Sequence, residues 1–275
     1  MSDLLEVNRL DIRLRQEGKL LVSQAGFKVR EGRALAVVGE SGSGKTLICK
    51  AVMQLLSRRS FAVSGSIRYR GRELLDMDDK AVRSLCGSKL AMIVQNPMTA
   101  LDPSAKIGNQ MAETLRAHLK IPRREALEAA AAALEKTNLP RPRQLMNSYP
   151  HALSGGMLQR IIVAMALMQK PDLIIADEAT TALDVRNQGI ILDELAQLKS
   201  TGIGLILITH DFAVAARLAD DVIVMKEGRA VEAGPLQQVF ASPQEAYTRE
   251  LLAASILVRE ETHDSGQRAV QAVYH

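Results

Sequence analysis

Hydrophobic and polar positions alternate along residues 4–14 (LLEVNRLDIRL) and 20–29 (LLVSQAGFKV), with QEGK between them. This predicts two strands around a turn. GSIRYRG (65–71) predicts a third short strand, so the N-terminal part reads as an antiparallel sheet. ALAVV (34–38) is apolar throughout and leads into a glycine-rich stretch. Behind that stretch Leu47, Ile48, Ala51, Val52 and Leu55 recur at helical spacing. Residues 104–152 change character. KIGNQMAETLRAHL and REALEAAAAALEKTNL predict helices, the second ended by Pro140 and Pro142. DLIIAD and GLILITH are continuous apolar runs of the kind found in strands buried on both faces, and NQGIILDELAQLKS between them is helical. Strand–helix–strand alternation predicts a parallel α/β core. DVIVMKEGRAVEAG predicts a hairpin with its turn near Glu227-Gly228, and the polar, aperiodic residues 259–275 predict a mobile tail.

Composition narrows the classes. The 275 residues suffice for one large domain with an inserted subdomain, and 47% hydrophobic with 24% charged residues is ordinary for a globular chain. A net charge of +4, four Phe, four Tyr and no Trp make a poor nucleic-acid platform, so no nucleic-acid partner is expected. Two cysteines, Cys49 and Cys86, have no metal-type spacing and predict a reducing compartment. No N-terminal stretch reads as a signal peptide, and apolar runs such as 161–168 fall far short of the roughly 20 residues that span a bilayer. Work at a membrane would require docking on something that spans it.

GESGSGKT (39–46) satisfies G-x-x-x-x-G-K-[ST] between a predicted strand and a predicted helix. Gly39, Glu40, Ser41, Gly42, Ser43 and Gly44 can wrap phosphates with backbone amides; Lys45 can neutralise their charge, and the Thr46 hydroxyl can ligate Mg²⁺. PDLIIADE (171–178) places Asp177 at the carboxyl end of a buried strand, where open α/β sheets put their ligands. Asp177 is a candidate Mg²⁺ ligand, and Glu178 a candidate to polarise an attacking water. His210 ends the next strand and could orient that water or a γ-phosphate; Gln95, in MIVQNP, could reach the metal or water. LSGGMLQR (153–160) presents a hydroxyl and two glycines before a helical run, which is itself the chemistry of an anion site. One chain thus carries two phosphate grips.

These motifs in this order, GESGSGKT, Gln95, LSGGMLQR, LIIADE, TALD (181–184) and His210, resemble the ATP-binding cassette (ABC) ATPases over about residues 4–250. The resemblance implies an α/β P-loop NTPase fold with a mixed, mainly parallel core sheet, an N-terminal antiparallel β subdomain and an inserted α-helical subdomain. It implies an ATPase domain over 1–258, with 96–160 as the helical subdomain including the signature loop. It also implies head-to-tail pairing of two cassettes, in which Ser154, Gly155, Gly156 and Gln159 act on the partner's ATP and Asp184 lies at the interface. ATP and Mg²⁺, the latter through Thr46, Gln95 and Asp177, are the implied cofactors, with Glu178 and His210 catalytic. The implied partners are a second, related cassette or a second copy, transmembrane permease subunits, and indirectly an extracytoplasmic solute-binding protein. The implied place of work is the cytoplasmic face of the membrane.

QNPMTALDP, YPHALSGGM and AYTRELL resemble the peptide- and nickel-importer branch, and GMLQR and ARLADDV the nickel importers in particular. The expectation is uptake of nickel, free or chelated, with di- or oligopeptides as the alternative. A soluble ABC ATPase of DNA repair or translation, or a module that binds without hydrolysing, are further readings. Two departures stand out. Leu14 occupies the position where the family usually offers an aromatic to adenine, and Ala179 stands where a Pro usually follows the catalytic Glu. No cysteine follows Cys86, so no iron–sulfur cluster is expected.

Overall fold

The alternating N-terminal stretches form β1 (Asp3–Leu14) and β2 (Leu20–Arg30) in the computed structural model, which describes residues 3–137, 139–179 and 185–255. The continuous run Ala34–Val38 is β3, and the glycine loop passes from it into α1 (Lys45–Val52). β4 (Phe61–Tyr69) and the two-residue β5 (Arg72–Glu73) complete the antiparallel part. α2 (Asp79–Leu85) starts on Asp78, whose carboxylate accepts the Ala81 amide, and leads to β6 (Leu90–Ile93). A helical excursion follows, made of α3 (Pro97–Ala100), α4 (Ile107–His118), α5 (Arg123–Glu135) and α6 (Pro142–Leu145). A 3₁₀ turn at Pro150–Ala152 then brings in α7 (Gly155–Leu167). The chain returns to the sheet through β7 (Leu173–Asp177), α8 (Val185–Ser200), β8 (Gly204–Thr209) and α9 (Phe212–Leu218). It continues with β9 (Asp221–Lys226), β10 (Arg229–Pro235) and α10 (Leu236–Ala241).

One ten-stranded sheet runs in the order β5-β4-β1-β2-β10-β9-β3-β8-β7-β6. β9, β3, β8, β7 and β6 pair in parallel; β1 pairs antiparallel with both β2 and β4, and the single pair Arg229↔Ser23 joins the two parts. The continuous apolar runs are explained by burial on both faces. Leu173 and Ile175 of β7, with Ile206 and Ile208 of β8, face the core shared with α1 and the antiparallel strands. Ile174, Ala176, Leu205 and Leu207 face the opposite core, built with α4, α5, α7 and α8.

The helix endings differ from the sequence reading in two places. α1 stops at Val52, the backbone turns left-handed at Gln54 (φ +53°), and Leu55 lies outside the helix with 59% of its surface exposed. α5 stops at Glu135, before either proline; the Thr137 hydroxyl donates to the Leu134 carbonyl, and Pro142 starts α6 as a first-turn residue. The hairpin turn is as read, with Glu227 (φ +48°) and Gly228 (φ +80°) both left-handed, as a type I′ turn requires. The tail 259–275 lies outside the described residues.

One buried acid stands out. Glu194 of α8 has both carboxylate oxygens enclosed with no hydrogen-bond partner among the described residues. Burial pushes its pKa up to about 7, against the pull of the nearby Arg160 charge. A folded pKa above the unfolded value means that ionisation opposes folding: the cost is absent below about pH 4.5 and fully developed above about pH 7. Glu194→Gln is expected to raise Tm by roughly 2–5 °C at pH 8 and by clearly less at pH 5, as measured by thermal unfolding at both pH values.

Candidate nucleotide site

Four adjacent parallel strands deliver the candidate residues to one rim. β3 ends in the glycine loop, β8 in Thr209-His210, and β7 in Asp177-Glu178, while Gln95 follows β6 by two residues. Their carboxyl ends share one edge of the sheet because the strands are parallel and in register.

The loop is shaped by close backbone packing. Gly39 sits at φ +145°, and a Cβ there would lie 2.2 Å from the Met225 carbonyl oxygen. On the opposite flank the Gly228 amide donates to the Ser43 carbonyl at 3.1 Å, and a Cβ on Gly228 would lie 2.2 Å from the Leu21 carbonyl oxygen. The β9–β10 turn therefore braces the loop from below. Glu40, Ser41 and Gly42 form its exposed edge. Tyr247, in helical residues 246–255, accepts the Glu40 amide on its hydroxyl at 3.2 Å, with Lys226 Nζ 4.5 Å from its ring centroid. The stretch AYTRELL carries no local sign of this brace, because nothing near it in sequence ties Tyr247 to a loop 207 residues away.

Lys45 is 4% exposed and curls into its own loop. Its ammonium donates to the Gly39 carbonyl (2.8 Å), the Glu40 carbonyl (2.7 Å) and Ser43 Oγ (3.4 Å). Burial lowers its pKa, while the negative charges of Glu178, Asp177 and Glu40 work the other way. A buried cation inside a ring of glycine-loop amides is the complement of a polyphosphate.

Thr46 Oγ1 donates to Asp177 Oδ1 at 3.1 Å. Burial raises the Asp177 carboxyl above its usual range; the Thr46 bond, Lys50 and Lys45 lower it, and neighbouring Glu178 adds to the rise. A hydroxyl and a carboxylate oxygen together form the oxygen donor set that suits Mg²⁺, so the residues present fit that ion.

Gln95 groups differently. Its Nε2 donates to Glu178 Oε2 at 2.7 Å, which places it with the candidate base instead of with Thr46 and Asp177. β6 borders β7 alone, so Gln95 emerges beside the end of β7 and away from the glycine loop that carries Thr46. His210 Nδ1 lies 3.6 Å from Glu178 Oε1 on the other side, so the carboxylate sits between an amide and an imidazole. Glu178 also holds a left-handed backbone (φ +47°), a strained conformation of the kind that collects at functional sites. Ala179 is buried in the core on the α7 side.

The second grip divides in two. Ser154 caps α7, its hydroxyl accepting the Met157 amide at 3.4 Å; Ser154 and Gly155 are exposed, and a Cβ on Gly155 would meet nothing within 4 Å. Gln159 departs from the expectation that it acts on a partner's ATP. It is 2% exposed and points inward, Nε2 to the Val94 carbonyl at 3.5 Å, because one helical turn past the cap the side chain faces the sheet. Asp184 lies outside the described residues. Gly39→Ala is expected to reduce nucleotide binding at least tenfold, since the new methyl must displace the Met225 carbonyl; Gly42→Ala, with open space around it but φ +81°, is expected to cost less. Equilibrium binding of labelled ATP to both variants checks this.

Residues 22–181 match the family model described as ABC transporter. A Brucella melitensis biotype 1 protein, provisionally named a peptide import ATP-binding protein, is 44% identical over 251 residues, covering 89% of this chain and 74% of that one. The glutathione import ATP-binding protein GsiA of Escherichia coli O6:H1 is 42% identical over 262 residues, 92% of this chain, which spans only 42% of that protein's length. Among solved structures, cbiO1 from Clostridium perfringens, part of the ABC transporter complex cbiONQ, superposes with TM-score 0.73 at 25% identity, covering 88% of this chain and 92% of that one. The ATP-binding cassette MJ0796, bound to ADP and Pi in a dimeric post-hydrolysis state, has the same fold, with TM-score 0.75 at 23% identity and coverage of 84% and 98%. With its glycine loop, strand-end carboxylates and signature helix assembled on this fold, the chain is an ATP-binding cassette ATPase and belongs to the ABC transporter family.

Proposed function

We propose that this chain is the ATP-hydrolysing subunit of a membrane importer for short peptides or peptide-like solutes such as glutathione. The observation that carries the chemistry is Glu178, held between Gln95 and His210 at the rim where Lys45, Thr46 and Asp177 also converge. The loop 39–46 and Lys45 bind the ATP phosphates, with Lys45 exchanging its carbonyl partners for phosphate oxygens. Mg²⁺ held by Thr46 and Asp177 would neutralise charge on the phosphates. Glu178 takes a proton from a water whose oxygen attacks the γ-phosphorus, the bond to the ADP oxygen breaks, and ADP and phosphate leave. His210 orients the carboxylate, and Gln95 connects the site to the helical excursion.

The exposed Ser154 and Gly155, followed by half-buried Gly156, support pairing with a second cassette, a related chain or a second copy, whose ATP this turn would complete. By the same reading Asp184 lies at that interface. The domain spans 1–258, with 96–160 as its helical subdomain. No helix among the described residues is long and apolar enough to cross a membrane, which suits a peripheral subunit docked on permease subunits at the cytoplasmic face. An external solute-binding protein delivers the cargo.

The import names of the Brucella and Escherichia relatives favour peptide or glutathione over the nickel cargo that GMLQR and ARLADDV suggested. Those short stretches are a turn of the signature helix and a helix–strand junction, both elements of the cassette itself. Uptake of a labelled dipeptide, glutathione and nickel in cells lacking the chain tests the cargo. The expected result is loss of peptide or glutathione uptake, restored by the intact chain and not by Lys45→Ala. Loss of nickel uptake alone would overturn the peptide assignment. Glu178→Gln is expected to retain ATP binding within about threefold, to lose at least 100-fold in turnover, and to accumulate as an ATP-bound dimer in size-exclusion chromatography. Near-normal turnover in that variant would remove Glu178 from its role.

A further inference from the structure

Tyr247 carries a hydroxyl that apolar packing alone does not account for. The residue is 7% exposed, in one cluster with Ala36 and Val38 of β3, Val222 and Val224 of β9, and Leu236 and Val239 of α10. A phenyl ring would fill that space equally well. A hydroxyl in such surroundings adds stability only through the bond it makes, because an unpaired one carries a desolvation cost. The bond it makes is to the phosphate loop: the Glu40 amide donates to the Tyr247 hydroxyl oxygen at 3.2 Å.

That amide is one edge of a peptide unit whose other edge is already in use. In a trans unit the carbonyl and the amide point in opposite directions. The Gly39 carbonyl accepts the Lys45 ammonium at 2.8 Å, and the Glu40 amide across the same unit meets Tyr247. The unit is therefore held from both sides. Without the second hold it would turn easily, since it follows a glycine and Glu40, Ser41 and Gly42 are exposed. A turned unit would aim the Glu40 N–H at the ammonium and withdraw one of the two carbonyls that hold it. Tyr247 is itself anchored. Glu232 of β10 accepts the amides of Gln244 (2.8 Å) and Glu245 (3.2 Å), just ahead of helical residues 246–255. Lys226 at the end of β9 places its Nζ 4.5 Å from the ring centroid.

We propose that Tyr247 is a positioning residue for phosphate binding: its hydroxyl keeps the Gly39–Glu40 peptide unit in the orientation that leaves loop 39–46 and Lys45 ready for a polyphosphate. This rests on the proposal that the loop holds ATP phosphates. Apparent affinity scales with the fraction of molecules whose loop already has the binding form, so a hydroxyl that never touches the ligand acts on its affinity. The effect falls on the phosphates and not on the nucleobase, so ATP and bare triphosphate feel it equally.

Tyr247→Phe deletes the hydroxyl and keeps the ring. In the full chain it is expected to weaken binding of Mg-ATP and of inorganic triphosphate by the same factor, about fivefold, in equilibrium dialysis. Hydrogen exchange followed by NMR in the nucleotide-free chain is expected to show the Glu40 amide exchanging about tenfold faster in the variant. If the wild-type chain binds both ligands and Tyr247→Phe binds them equally well, the proposal is overturned and the phosphate assignment survives. Weaker binding with unchanged exchange at Glu40 also overturns it, because the loss would not run through this peptide unit. So does a loss for ATP that triphosphate does not share. If the wild-type chain binds neither ATP nor triphosphate, the phosphate assignment itself fails and this proposal falls with it.

Discussion

The rest of the site depends on a buried charge. The Lys45 ammonium lies inside its own loop, where an uncompensated cation would be prohibitively costly. Two backbone carbonyls and a serine hydroxyl satisfy its donors, but dipoles do not cancel a full charge. Asp177 and Glu178 supply the opposing charge from the adjoining strand ends. A bound polyphosphate would take over that task from closer range. The loop can hold this arrangement because Gly39 passes beneath the Met225 carbonyl and Gly228 beneath Leu21, approaches that any side chain would block.

The same logic separates the two halves of the rim. Thr46 and Asp177 form an oxygen pair suited to a hard cation, while Gln95, Glu178 and His210 form a second group that holds one carboxylate in place. Gln159 connects this group to the signature helix. Its amide meets the Val94 carbonyl, one residue before Gln95, so a movement of α7 has a direct route to the side chain that holds Glu178. One turn of one helix thus presents Ser154 and Gly155 outward and Gln159 inward.

The cargo lies at another level. The rim's side chains contact one another and the glycine loop, and the cargo reading rests on the relatives instead. The likeness to peptide and glutathione import proteins extends over nearly the whole chain, whereas the nickel-like stretches are a few residues within elements that serve the cassette itself.

Much was legible from residues alone. Alternation in 4–14 and 20–29 marked half-buried antiparallel strands, and the unbroken apolar runs of β3, β7 and β8 marked strands covered on both sides. Those patterns report burial directly. The loop glycines, Lys45, Thr46, Asp177, Glu178 and His210 could be named because their chemistry is tied to fixed local spacing. Helix ends were less legible: α5 stops five residues before Pro140, since a weakly amphipathic alanine-rich helix ends where its packing ends. What no local pattern contains is contact across the chain. The grouping of Gln95 with Glu178, the inward turn of Gln159 and the brace from Tyr247 join residues far apart in sequence. Sequence by itself determined which chemical groups stand at the strand ends. Only the tertiary structure decided which of them touch, because strand order and ladder register are set by packing over the whole sheet and not by any one segment.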